Sequence, residues 1–141
     1  MTRKRSLCTL AVGLAAALAL SACSPSATYV DLQEHTPAPE PLPALPPDAL
    51  DSTVDTTTAR HIGSYESASL WLMRNEPSGA CLLVYPDDGD WYVGCSPRPT
   101  PFGVSGPAGD FVIQPDDHPA PPALIEQISG NVYAVAEPFQ G

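Results

Sequence analysis

Two cysteines, Cys81 and Cys95, stand on either side of Pro86-Asp87-Asp88-Gly89-Asp90, and this constrains the fold of the 141-residue chain more than any other feature. A proline- and glycine-bounded acidic loop of this length closes a β-hairpin. Centred on Asp88, the hairpin sets Tyr85 opposite Trp91, Leu83 opposite Val93, and Cys81 opposite Cys95. Directly opposed residues have Cα atoms about 4.5–5.5 Å apart, inside disulfide range. The spacing is too long for a C-x-x-C motif and no second pair accompanies it, which argues against a redox or zinc role. For a ring of about 15 residues, chain entropy alone attaches roughly 3 kcal/mol to the bond.

The same register predicts two faces. Cys81, Leu83, Tyr85, Trp91, Val93 and Cys95 share one, joined by Trp71 and Met73 if the preceding loop turns about Pro77. That face is expected to be the core. The other, with Leu70, Leu72, Leu82, Val84 and Tyr92, is also apolar and is expected to lie under the C-terminal strands. An exposed aromatic binding surface is the alternative for it.

Further short runs of strand character are 60–65, 68–74, 102–105, 110–114 and 131–135, each bounded by turn formers. Residues 123–128 have room for a helical turn or two. No segment carries a long 3.6-residue stripe. The pattern predicts an all-β domain, a small antiparallel sheet or sandwich with one disulfide.

The N-terminus reads differently. Arg3, Lys4 and Arg5 precede an eleven-residue apolar run, Leu10 to Leu20. Spanning a bilayer takes about 20 apolar residues, so residues 1–22 read as a signal peptide. The run ends Leu20-Ser21-Ala22-Cys23, which resembles the lipobox of bacterial lipoproteins. That resemblance implies lipidation of Cys23, cleavage before it, and a lipid-anchored location on the extracytoplasmic face of the cell membrane. Two or three acyl chains anchor a protein stably where one does not.

All 16 acids follow Cys23, against only Arg60, Arg74 and Arg98, so the chain from Cys23 onward carries a formal charge of −13. Such a polyanion lacks the basic footprint that nucleic acid needs. Residues 23–57 hold seven prolines and six acids with one aromatic, Tyr29. Composition assigns them to a disordered, polyproline-rich tether reaching at most roughly 100 Å. Residues 58–141, with nine of the ten aromatics, form the extracytoplasmic domain.

The order Arg60-His61-Ile62-Gly63, Cys81-Leu82-Leu83-Val84, an acidic glycine turn, Gly94-Cys95 and Gly130-Asn131-Val132-Tyr133 resembles a loose group of actinobacterial lipoproteins and secreted proteins. The resemblance implies a β-rich domain with one disulfide. It implies no activity and carries over no catalytic residue.

Little else points to chemistry. Asp87-Asp88-Gly89-Asp90 lacks the closing Glu of a calcium loop and reads as a solvated turn. Asp116-Asp117-His118 has no second His nearby and reads as a polar turn. Gly103, Gly106 and Gly109 lack the Lys of a phosphate loop. No Ser stands in a G-x-S-x-G or S-x-x-K setting. The sequence therefore predicts no catalytic residue, metal or cofactor. It favours a binding or accessory module with a cell-envelope protein or glycan as partner. The alternative is a hydrolase-like enzyme with a site built around His61 or His118.

Overall fold

The computed structural model describes residues 28–33 and 39–141. The signal segment 1–22 and Cys23 lie outside the described residues. Among those described, no helix is long and apolar enough to cross a membrane.

The domain is all-β. Strands β1 (Val54–Tyr65), β2 (Ala68–Asn75), β3 (Gly79–Pro86) and β4 (Tyr92–Ser96) form an antiparallel meander in the order β1-β2-β3-β4. Strands β5 (Phe102–Gly106), β6 (Gly109–Ile113), β7 (Leu124–Gln127) and β8 (Val132–Val135) form a second antiparallel sheet in the order β5-β6-β8-β7.

The cysteine register holds. Cys81 pairs with Cys95, Leu83 with Val93 and Val84 with Tyr92, and the two sulfurs are bonded. The turn about Pro77 also holds, with Met73 opposite Cys81 and Trp71 opposite Leu83.

The C-terminal strands cover the face of Leu70, Leu72, Leu82 and Val84, as expected, but this face, and not the disulfide face, holds the main core. Leu70, Leu72, Leu82 and Val84 of the first sheet meet Val104, Phe111, Ile113, Val132 and Ala134 of the second in one apolar cluster. Each fully buried aliphatic side chain there contributes about 1.5–3 kcal/mol. The disulfide face is a smaller cluster of Val54, Ala59, Met73, Cys81 and Leu83. It has no second sheet over it. Leu42, Leu45 and Leu50 pack against it instead, beside Trp71, Trp91 and Val93. A face with two Trp and a disulfide looks more core-like than one of Leu and Val, but the short connection from β4 to β5 carries the chain into a second sheet that packs on the latter.

Two segments differ from their sequence reading. Leu124–Gln127 is an exposed edge strand, not a helical turn, because Ala123 takes a positive φ of 57° and turns the chain into β8's ladder. Within the stretch 23–57 that composition assigns to a tether, Thr28 to Gln33 and residues 39–53 lie against the domain. Their few apolar side chains decide this. Tyr29 and Leu32 are buried in the main core, and the three leucines cover the disulfide face. The first strand accordingly begins at Val54.

Candidate functional site

Thr28 to Gln33 forms a clasp across the second sheet. Val30–Leu32 is a single 3-10 turn. The Asp116 N–H donates to the Thr28 carbonyl at 2.7 Å, and the Thr28 hydroxyl donates back to Asp116 Oδ2 at 2.6 Å. Asp116 Oδ1 accepts from the Val30 N–H at 2.8 Å. The Asp31 carboxylate accepts from the Ser129 hydroxyl, the Gly130 N–H and the Asn131 N–H, at 2.6, 3.2 and 2.9 Å. Asn131, fully buried, donates from Nδ2 to the Gln114 carbonyl and to Asp116 Oδ1. Hydrogen bonds to an ionised carboxylate are roughly twice as strong as neutral ones. A Cβ at Gly130 would lie 2.5 Å from Val30 Cγ1, so a larger residue there would push the exposed Val30 side chain aside.

Between this clasp and the β2–β3 turn lies a cleft of about 400 Å³. Its lining includes the buried Tyr29, Leu32, Asn75 and Gly79 and the exposed Asp55, Arg74, Glu76 and Ser78. The Arg74 Nη2 is engaged with the Leu32 carbonyl at 2.8 Å and so ties β2 to the clasp. The Asp55 carboxylate accepts from the Thr57 N–H and hydroxyl. The Glu76 side chain makes no hydrogen bond among the described residues.

Four buried polar atoms have no hydrogen-bond partner among the described residues, and two of them, Tyr29 Oη and Asn75 Oδ1, belong to the cleft walls. Leaving such an atom unpaired costs about 1–3 kcal/mol, so each calls for a partner. Burial, and then the Asp116 carboxylate, push the Tyr29 phenol from its ordinary 10.0 up to about 12. Both atoms are buried, the Tyr29 hydroxyl in its neutral form, within residues that line the cleft. The arrangement accepts hydrogen bonds and places carboxylates at its mouth, which suits a donor-rich cation.

The residues singled out in the sequence fall elsewhere. His61 sits opposite Trp71 on β1 and β2, ring centroids 5.0 Å apart, away from the cleft lining. His118 is exposed, with Nδ1 3.3 Å from the Asp116 carbonyl. Asp87, Asp88 and Asp90 stand exposed on the β3–β4 turn, where Asp88 Oδ1 accepts the Asp90 N–H. Among the described residues no group of three His, Cys, Asp or Glu side chains is placed to hold a metal ion. Of the expected Asp116 turn, the carboxylate proves to be the clasp's main acceptor. The Pro-rich composition around Thr28–Gln33 hid that role, although Tyr29 as the lone aromatic there was a signal for it.

No protein-family model, no curated protein and no solved structure matches the chain.

Proposed function

We propose that the protein is a lipid-anchored extracytoplasmic lipoprotein of the cell envelope, resembling those of actinobacteria, that works as a binding or accessory module. Its cleft takes a cationic, donor-rich group of an envelope partner. The observation that carries the reading is a cleft with two exposed carboxylates, Asp55 and Glu76, in its lining, beside an Asn75 Oδ1 that has no hydrogen-bond partner among the described residues. Arg74, which donates to the Leu32 carbonyl, offsets only one of the two carboxylates, so the lining keeps a net negative charge. A charge of −13 over the chain from Cys23 steers cations toward the domain at low ionic strength.

Titration of the protein with tetralysine, tetraglutamate and a chitin trisaccharide, followed by amide NMR, tests this. Tetralysine is expected to shift Asn75 and Ser78 and to saturate. E76Q weakens that binding, whereas D88N, on the β3–β4 turn, leaves it unchanged. Equal weakening by both variants shows only diffuse attraction to a polyanion and overturns the cleft reading. Saturable shifts with the trisaccharide alone replace the cation with a glycan.

A further inference from the structure

We infer that the clasp shortens the physical link between lipid and domain to four residues, Ser24 to Ala27, and so holds the cleft at the bilayer surface against a partner protein of the same membrane. The inference rests on the proposed lipidation of Cys23.

The chain geometry is simple. If residues 23–57 were one free tether, the domain could stand roughly 100 Å from the bilayer. But the hydrogen bonds from Asp116 fix the chain at Thr28. Between Cys23 and Thr28 there are five Cα–Cα steps, which fully extended reach about 18 Å. Downstream of the clasp, Leu42, Leu45 and Leu50 are packed on the domain, so the chain beyond Thr28 adds nothing to the reach.

Thr28, Tyr29 and Leu32 line the cleft themselves. The cleft is thus built partly from the residues closest to the anchor. A site held that low meets what the same membrane carries far more often than what diffuses freely, since confinement raises effective concentration.

The chemistry selects among membrane-borne cations. A phospholipid amine brings a phosphate with it, and the rim carboxylates of Asp55 and Glu76 oppose that anion. A Lys or Arg side chain on the extracytoplasmic surface of a membrane protein brings the cation alone. The occupant is therefore a basic side chain of such a protein.

The test uses the full 141-residue chain, expressed with its own signal and recovered from membranes. The mass of its N-terminal peptide is read first. The protein is then placed in a supported phosphatidylcholine bilayer for neutron reflectometry. The expected gap between bilayer and domain is at most about 18 Å. Inserting about 24 Gly/Ser residues between Ala27 and Thr28 raises the domain by roughly 25–30 Å. D116A, which cuts the clasp, raises it too, and the insertion keeps the test valid if D116A unfolds.

A wild type floating as high as the insertion variant overturns the inference. If the N-terminal peptide carries no lipid, the anchor reading fails by itself. The Cys23 thiol is then coupled to a maleimide lipid in the same bilayer, and the gap is read in the same way. For the occupant, tetralysine joined to a lipid by a short spacer binds the wild type roughly two- to three-fold more tightly than the insertion variant, following the ratio of accessible heights. Equal binding by the two variants, or equally tight binding to phosphatidylethanolamine bilayers without peptide, overturns the partner assignment.

Discussion

Asp31 and Asn131, 100 residues apart in sequence, are hydrogen-bonded in both directions: the Asn131 N–H donates to Asp31 Oδ2 at 2.9 Å, and the Asp31 N–H donates to Asn131 Oδ1 at 3.0 Å. This reciprocal pair closes the domain between its N-terminal clasp and its last hairpin. The second Asp31 oxygen and the rest of the Asn131 amide bind the surrounding turns, so neither residue is interchangeable with a near relative.

D31A is expected to strip the β7–β8 turn of its acceptor. Three donors, from Ser129, Gly130 and Asn131, lose their carboxylate. The loss is about 1.5–3 kcal/mol, that of one charged hydrogen-bonding group. Hydrogen exchange checks it, with faster exchange at Leu32 and Gln33 than in the β2–β3 ladder.

Alkaline pH is expected to open the clasp. The Tyr29 and Tyr92 phenols both rise from 10.0 to about 12, chiefly through burial. Each is held neutral in the fold and ionises more easily once unfolded. Their contribution is complete below pH 10 and is lost as pH rises through 12. Ultraviolet difference titration should show late, cooperative ionisation of two tyrosines, with normal titration of both under denaturant.

Reduction of Cys81–Cys95 is expected to cost about 2–4 kcal/mol. For a unit of this size the melting temperature falls by roughly 10–20 °C. Melting curves with and without reductant, beside a peptide map of the oxidised form, measure it. An unchanged curve would show that the strap of Leu42, Leu45 and Leu50 alone secures that face.

G79A is expected to be among the most damaging single changes. A Cβ there would lie 1.8 Å from the Ser96 carbonyl oxygen, and backbone atoms of the β3–β4 ladder have little room to yield. Overpacking typically costs 1–3 kcal/mol, and this contact exceeds the usual case. By contrast, G89A meets nothing within 4 Å, but takes a positive φ of 86°, so it carries only the smaller conformational penalty. Chemical denaturation of the two variants side by side separates these costs.

The β2–β3–β4 meander was legible because it is local. Turn residues fix the register, and once Asp88 and Pro77 are taken as centres, Met73, Cys81 and Cys95 fall into line. Which face became the main core was not legible. The face of Leu70, Leu72, Leu82 and Val84 was expected under the C-terminal strands and lies there, but both faces are apolar and nothing local marks that one as the larger core. The cleft was hidden for the same reason. Its walls come from Tyr29 and Asn75, in segments far apart in sequence, and nothing in the composition of residues 23–57 announces that Tyr29 and Leu32 are core residues.

The clasp also fixes when the molecule becomes whole. Tyr29 and Leu32 leave the ribosome among the first core residues, yet they share their cluster with Val132 and Ala134, close to the C-terminus. Contacts of such long sequence separation form late and slowly. Until the final hairpin is free, Leu70, Leu72, Leu82 and Val84 are opposed only by Val104, Phe111 and Ile113 of the β5–β6 hairpin, and part of the inner face of the first meander is open to any apolar surface it meets. Maturation of this chain is therefore gated by its last ten or so residues, and a truncation just short of Asn131 would leave not a smaller domain but a half-built one.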